Sequence, residues 1–349
     1  MRNVEPLRNP VQIGESMKFR KERLDRGIKA RSDTIYVISS YREMLYLVLP
    51  RVLPVIGLLV LPLVLRGYWG KVLVYACMFG LLALSWDFLA SCGMFSLGQA
   101  LFFGVGSFFA GAMNHYLHWP PIVTLPLATL SGGLFCAALL APVVRLKGIY
   151  FAMITLVVPL LFTRLVVATG VWGGSHGLSN LAPFTNEWIP TYLAVVAMLV
   201  VLFGFRRIMN EDYGLVLGAI RDDDRAVMSA GINIYWRKIQ ALFIAAAVGC
   251  FAGAFMTHQY QFVGPSAFAL DYSILPLTAA ALGGAGTFAG AVLGSIALVP
   301  LSEALRALAG LRITFYCIVL IICIIGLPEG IFHFIQRKYQ QFERLTEIG

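Results

Sequence analysis

This chain has 349 residues, of which 59% are hydrophobic and only 13% are charged, and its mean hydropathy is +0.78. Soluble globular domains carry about 25% charged residues, so this composition excludes that class. The net charge of +9 does not indicate nucleic-acid binding, because the basic residues lie at the ends of apolar runs rather than over a globular surface. The composition predicts an all-α, polytopic integral membrane protein.

Residues 1–43 form a polar, basic segment ahead of the first apolar run. Residues 1–51 hold eleven Lys and Arg, and such residues keep their side of a first span in the cytoplasm. We predict a cytoplasmic N-terminal extension over 1–43. It is either a short helix lying on anionic headgroups, with Met17, Leu24 and Ile28 on its apolar side, or a disordered basic tail.

Apolar runs that suit a bilayer follow one another through the rest of the chain. They cover residues 44–65, 72–90, 101–117, 122–144, 148–168, 189–205, 239–260, 273–308 and 313–332. The run 273–308 is too long for one span and is interrupted by glycines at 283–287, so it predicts two spans or a re-entrant segment and one span. The sequence thus predicts about eight to ten transmembrane helices, with broken or re-entrant segments, in a domain over 44–332. Residues 333–349 are predicted to be a basic cytoplasmic tail.

A polar island at 206–236 separates two apolar regions. Hydrocarbon does not tolerate its density of charge, so it is predicted to stand in water. Ten crossings place this island and both termini on one side of the membrane, and residues 206–238 hold six Lys and Arg, so that side is predicted to be cytoplasmic. Residues 215–220 and 225–232 predict two short helices separated by three aspartates, which favour a helix N-terminus. The island is either a docking surface or a solvated connector.

Small polar residues interrupt the apolar sequence at 91–100. Irregular backbone at membrane depth persists only where it is buried in protein or lines a wet cavity. Ser96, Gly98 and Gln99 offer a hydroxyl, bare backbone and an amide at this break, and a half-helix N-terminus there is predicted to face a substrate carboxylate. These three residues are candidates for a solute path.

Three more residues near this break are candidates for the same path. Asp87 is an ionisable residue inside an apolar run, and it either meets an ammonium group or is paired with Arg164 or held near the interface. Tyr150 and Thr155 belong either to the path or to helix packing.

The glycines with GxxxG spacing are instead predicted to allow close helix packing; they are Gly249, Gly253, Gly286, Gly290 and Gly294.

The sequence 221–233, RDDDRAVMSAGIN, resembles the coupling loop, or EAA motif, of ABC importer permeases, and more narrowly that of the branched-chain amino-acid permease family. Residues 95–106, 145–156 and 282–287 resemble the same family, so the resemblance covers about 72–329 in the right order. The chain has Arg225-Ala226-Val227 where the general motif opens with Glu-Ala-Ala. The resemblance implies a set of ATPase-coupling residues within the loop 206–238: Arg221, Asp222, Asp223, Asp224, Arg225, Ala226, Ala230 and Gly231.

The resemblance implies a permease subunit that works by alternating access and is driven by separate ATPase subunits. The chain has no GxxxxGK[ST] motif, so no ATPase site of its own is predicted, and ATP and Mg²⁺ are expected to be bound by partner subunits. No HExxH or CxxC spacing is present, and no catalytic residue, metal site or cofactor is predicted in this chain.

The implied partners are a homologous permease subunit in a heterodimer, two ABC ATPase subunits, membrane lipid, and a periplasmic solute-binding protein that docks near 175–186. The implied location is the bacterial inner membrane, and the implied solutes are branched-chain or related amino acids. The alternative is an ion-coupled secondary transporter or channel for a small polar solute such as urea or a short amide, with Asp87 and Glu303 as coupling groups.

Overall fold

A computed structural model describes residues 41–65, 67–184, 186, 188–304, 314, 318, 321 and 330–334. The predictions for the N-terminal extension, the last span and the basic tail lie almost wholly outside these residues. The chain divides into two compact units, 1–54 and 55–349. Of the first unit, the structure describes a helical segment from Tyr41 to Pro54, within the helix Tyr41–Val64; the packing and the sites described below concern the second unit.

Helices dominate the described residues, as the composition predicts. They are α1 (Tyr41–Val64), α2 (Tyr68–Ser91), α3 (Gln99–Leu117), α4 (Pro121–Leu140), α5 (Ile149–Thr169), α6 (Trp188–Asn210), α7 (Asp212–Asp222), α8 (Asp224–Ser229), α9 (Ile234–Tyr260), α10 (Asp271–Gly283) and α11 (Ala289–Ala304), with 3₁₀ turns at Val143–Arg145, Val171–Gly173 and Pro265–Phe268 and two short strands, β1 (Leu178–Ser179) and β2 (Phe262–Val263).

Six helical segments in the described part of the chain are long and apolar enough to cross a bilayer. They are α2, α4, α5, α6, α9 and the stretch Pro265–Gly283, which contains α10; Val52–Val64 and α11 are shorter apolar helices. The predicted break of the run 273–308 is confirmed, since α10 ends at Gly283 and α11 begins at Ala289. The chain is an all-α, multi-pass membrane protein.

Helix α2 lies at the centre of this unit. Twenty of its 24 residues are buried, as expected for a helix that is apolar on every side. It packs against α6, α9, α10 and α11. Helix α5 lies at the periphery, where apolar side chains such as Ile149 and Leu161 are exposed. In a bilayer such a surface contacts lipid, so α5 marks the lipid-facing side.

Glycines allow two pairs of helices to approach closely. A Cβ atom on Gly253 of α9 would lie 1.9 Å from the carbonyl oxygen of Phe103 in α3, and one on Gly249 would lie 2.6 Å from the Phe102 Cβ. In α11, Cβ atoms on Gly290 and Gly294 would lie 2.5 Å and 1.9 Å from carbonyl oxygens of α10. Gly286 differs from this prediction: it precedes α11, has φ +85°, and no heavy atom lies within 4 Å of its Cβ position, so it takes no part in helix packing.

The loops that follow α5 and α9, which we call the outer loops, meet on one face of the unit. Strands β1 and β2, one from each loop, pair antiparallel. Ala182 in the first loop is held by both of its backbone polar groups: its N–H donates to Asn114 Oδ1 at 2.8 Å, and its carbonyl accepts from His258 Nδ1 at 2.9 Å. These contacts tie the first loop to α3 and α9.

Candidate functional site

The polar island forms two short helices, α7 and α8. Asp223 lies between them in extended backbone (φ −152°), and its carboxylate accepts from Arg225 N at 2.8 Å and Ala226 N at 3.4 Å. The prediction that the aspartates favour a helix start is therefore confirmed at Asp223. After α8, Gly231 has φ +79° in open surroundings, a left-handed conformation that suits glycine. Asn233 then caps α9 through Trp236 N at 3.2 Å.

The capping bond gives a direct prediction for α8. Asp223→Ala removes the acceptor for two amides of a six-residue helix, so we expect it to cost about 1 kcal/mol of local helix stability and to speed amide hydrogen exchange at Arg225 and Ala226. Asp222→Ala is the matched control, because its exposed carboxylate has Arg221, at 3.4 Å, as its one ion-pair partner within the described part of the chain. Equal exchange rates in the two variants would show that the cap does not hold α8.

The island and the outer loops lie at opposite ends of α9. This helix has 27 residues and is therefore about 40 Å long, which exceeds the roughly 30 Å of a hydrocarbon core. Its first residue follows the island, and its last precedes β2. The predicted placement of the two surfaces on opposite sides of the membrane agrees with this length.

Most of the predicted coupling residues form an exposed surface. This surface, which we call the coupling surface, consists of Arg221, Asp222, Asp223, Arg225, Ala226, Ala230 and Gly231. Met228 adds an exposed apolar side chain, whereas Val227 is buried and anchors α8. The mixture of charges around an apolar residue suits a protein partner.

Asp224 differs from its neighbours because it faces the interior of the protein. Its side chain is only 11% exposed and contacts Lys147 Nζ at 2.5 Å and Lys238 Nζ at 3.0 Å. Burial acts to raise the pKa of Asp224, but hydrogen bonds from the two lysines outweigh it and hold the pKa below its ordinary value. Asp224 is therefore not part of the coupling surface.

The predicted break between α2 and α3 is present at residues 92–98. Hydroxyl groups hold the backbone amides around the start of α3: Leu97 N donates to Thr155 Oγ1 at 3.0 Å, Gly98 N to Ser96 Oγ at 3.1 Å, and Ala100 N to Ser273 Oγ at 3.0 Å. Amides at a helix N-terminus suit a carboxylate, but in this structure hydroxyl groups occupy these three. The structure thus brings Ser96, Gly98 and Thr155 together.

Gln99 is fully buried at the same helix start. Its Oε1 lies 3.1 Å from Ser85 Oγ, which also lies 2.9 Å from the Ala245 carbonyl, and its Nε2 has no partner among the described residues. Within the described ranges, the Gln99 amide reaches only the Ser85 hydroxyl, through its oxygen or, if the amide is flipped, through its nitrogen. In either orientation the other polar atom of the amide stays unpaired. A buried polar group without a partner is uncommon and needs an explanation.

Asp87 and Tyr150 are placed differently from the other path candidates. Asp87 accepts from Gly286 N at 2.5 Å and Phe288 N at 2.9 Å, so its partners are amides of the loop between α10 and α11 and not Arg164. Tyr150 is 68% exposed at the start of α5, away from the buried Thr155. The path candidates that lie together are therefore Ser96, Gly98, Gln99 and Thr155.

Sequence reasoning missed four residues that complete these sites: Ser85, Lys147, Lys238 and Ser273. In the sequence analysis, Lys238 is one of the charges that orient the chain, and Lys147 lies only within the family-like stretch 145–156. Ser85 and Ser273 lie within apolar runs, where an isolated hydroxyl usually bonds its own helix. Their partners lie far away in the sequence, so spacing along the chain carries no signal for them.

Residues 68–327 match the model of a protein family that is described as "Branched-chain amino acid transport system / permease component". The chain is 28% identical over 273 residues to the high-affinity branched-chain amino acid transport system permease protein LivM of Escherichia coli (strain K12), with 68% of this chain and 64% of the relative covered. The LivM of Salmonella typhimurium gives the same values. A probable branched-chain amino acid transport permease protein LivM of Methanocaldococcus jannaschii is 28% identical over 224 residues, with 57% of this chain and 64% of the relative covered.

The chain thus spans about 64% of the length of these curated relatives. No solved structure matches it. The family match extends from the start of α2 through α11 and includes both the helix break and the coupling surface. The chain therefore belongs to the family of branched-chain amino acid transport system permease components.

Proposed function

We propose that this chain is the permease subunit of an ABC importer that carries branched-chain or related amino acids across the bacterial inner membrane. The observation that carries this proposal is the coupling surface, which exposes mixed charges on α7, on the capped helix α8 and on the turn that leads to α9. An ion-driven carrier needs no such dock. The names of the relatives support the class of solute.

The proposed partners follow from this arrangement. Two ABC ATPase subunits bind ATP and Mg²⁺ and dock on the coupling surface, and a homologous permease subunit completes the pore. Both termini lie in the cytoplasm. A periplasmic solute-binding protein docks on the opposite face, near 175–186, where α3 and α9 hold Ala182 in place.

The structure offers no support for the ion-coupled alternative at the residues it would use. The Asp87 carboxylate is occupied by two backbone amides, and Glu303 Oε1 accepts from the Tyr68 hydroxyl at 2.7 Å. A coupling group has to exchange an ion or proton during transport. We therefore propose the ATP-driven importer alone.

A pull-down from detergent-solubilised membranes tests the dock. We expect the ATPase subunits to copurify with the unaltered chain and to be lost from the double variant Asp222→Lys/Arg225→Glu, because the two substitutions reverse charges on the exposed coupling surface. Lys71→Glu reverses an exposed charge beyond the coupling surface and serves as the control. Retention of the ATPase by the double variant, or its absence from the unaltered chain, would refute the dock.

The unpaired amide of Gln99 supports a solute path at the start of α3. We propose that the amide binds the carboxylate end of an amino acid when the helices around it separate. Gln99→Met keeps the side-chain volume and removes the unpaired polar atom, so we expect unchanged or higher thermal stability together with loss of uptake. Ser107→Ala, which removes a hydroxyl bonded within α3, is the control and should keep uptake. Normal uptake by Gln99→Met would exclude this residue from the path.

A further inference from the structure

The coupling helices contact the helix break at its beginning. Gly93, in the first turn of the break, has φ +76°, and a Cβ on it would lie 3.1 Å from the Arg221 Cα in α7. Glycine suits both the left-handed conformation and this close approach. Arg221, which is part of the coupling surface, thus also contacts the segment that we propose to line the solute path.

A second route joins α8 to the end of the break. Asp224 in α8 pairs with Lys147, which lies two residues before the start of α5. In the second turn of α5, the Thr155 hydroxyl accepts from Leu97 N at 3.0 Å, and a Cβ on Gly98 would lie 2.8 Å from the Thr155 carbonyl oxygen. Only about 9 Å of regular helix separates Ile149 from Thr155, so these two turns form one regular element, which Gly148 joins to Lys147.

The ion pairs cross an open pocket between α8 and the start of α5. A cavity of 320 Å³ lies between them and is lined by Met94, Lys147, Gly148, Phe151, Asp224 and Lys238, among others. Gly148 has φ +57° with nothing within 4 Å of its Cβ position. Because few side chains press α8 against α5, a displacement of α8 reaches α5 through the carboxylate of Asp224.

Charge and burial make this cluster more specific than an ordinary surface pair. Asp224 and Lys238 have side chains that are 11% and 10% exposed, and their separation is 3.0 Å; this pair fixes the carboxylate against α9. Lys147 is 65% exposed, and exposed ion pairs contribute little to stability. Replacing Lys147 is therefore expected to leave the fold intact, so that its effect on transport can be measured separately.

We propose that Asp224 and Lys147 are positioning residues that couple ATP hydrolysis to solute movement. The carboxylate, fixed to α9 by Lys238, ties α8 to the start of α5, so that motion of the docked coupling surface moves Thr155 and the amides that it holds at the helix break. This inference rests on the proposed function. It assigns to Asp224 an internal linking role rather than contact with the ATPase.

The test compares ATP hydrolysis with uptake in proteoliposomes that contain the assembled transporter. We expect Lys147→Met to retain the ATPase subunits and their hydrolysis rate, while the ATP hydrolysed per solute transported rises at least about fivefold, the low end of typical coupling. Lys147→Arg keeps the charge and should restore the ratio. Arg145→Met removes a basic residue from the same exposed turn and should leave the ratio unchanged.

The outcomes distinguish failure of the Lys147–Asp224 link from failure of the proposed function. An unchanged ratio in Lys147→Met, or an equal rise in Arg145→Met, would overturn the link. Asp224→Glu provides a second variant: it keeps the charge and should hold the ratio closer to that of the unaltered protein than Asp224→Asn does, and equal ratios in these two variants would also overturn it. Failure of the unaltered chain to assemble with an ATPase would instead refute the proposed function, before any ratio is measured.

Discussion

Gly253→Ala is expected to disrupt the helix pair α3–α9 and to cause a large loss of stability. The added Cβ would lie 1.9 Å from the Phe103 carbonyl oxygen and 2.8 Å from Ser107 Oγ. The first of these is backbone, so the helices have to separate. Overpacking usually costs about 1–3 kcal/mol, and a clash with backbone lies at or above the upper end of that range. The thermal unfolding midpoint in detergent measures the loss.

Gly204→Ala is the matched control for this substitution. Gly204 also lies inside a long apolar helix, α6, but nothing lies within 4 Å of its Cβ position. We expect its unfolding midpoint to be no lower than that of the unaltered protein, since alanine also favours the helical state. Similar midpoints for the two variants would contradict the close approach of α3 and α9.

Asp87→Ala is expected to free the loop between α10 and α11. The carboxylate accepts two buried or half-buried amides, those of Gly286 and Phe288. Removing it releases the cost of a buried charge but leaves both N–H groups unpaired, at about 1–3 kcal/mol each. We expect a lower free energy of unfolding, faster amide hydrogen exchange at these two residues, and loss of uptake.

Asp87→Asn provides an intermediate case. Its amide has one oxygen, so it keeps a single acceptor for the two N–H groups, and we expect an exchange rate between those of Asp87→Ala and the unaltered protein. Asp222→Asn makes the same chemical change at an exposed carboxylate and should affect neither exchange in the loop nor stability. Unchanged exchange at Gly286 and Phe288 in Asp87→Ala would show that the carboxylate does not hold this loop.

Features that are marked by a change in composition along the chain could be predicted from the sequence. The helix break at 92–98 and the end of α10 at Gly283 are polar or glycine-rich stretches within apolar runs, and the charged island stands out for the same reason. Asp223 caps α8 through amides only two and three residues away. Such patterns need no knowledge of distant parts of the chain.

Features that depend on distant partners could not be predicted in this way. Asp87 and Gly286 are 199 residues apart, so nothing in the sequence favoured Gly286 over Arg164 as the partner of Asp87. Asp224 resembles its two aspartate neighbours in sequence, and only the positions of Lys147 and Lys238 turn it inward. Tyr150 and Thr155 lie about 140° apart around α5, but this helix is apolar on every side, so its composition does not show which face is buried.

Helix α9 joins the two membrane faces without an internal proline, whereas α4, α5, α10 and α11 each contain one. Helices kink mainly at proline, so α9 is expected to move as a stiff rod. A rotation of about 10° around its contact with α3, at Gly249 and Gly253, would displace the end near the island by about 4 Å and the other end by about 2 Å, in opposite directions. Under the proposed function, the end that carries Lys238 and the end beside the β1–β2 pair would therefore move in opposite directions, so that a passage opening at one end of α9 would close at the other.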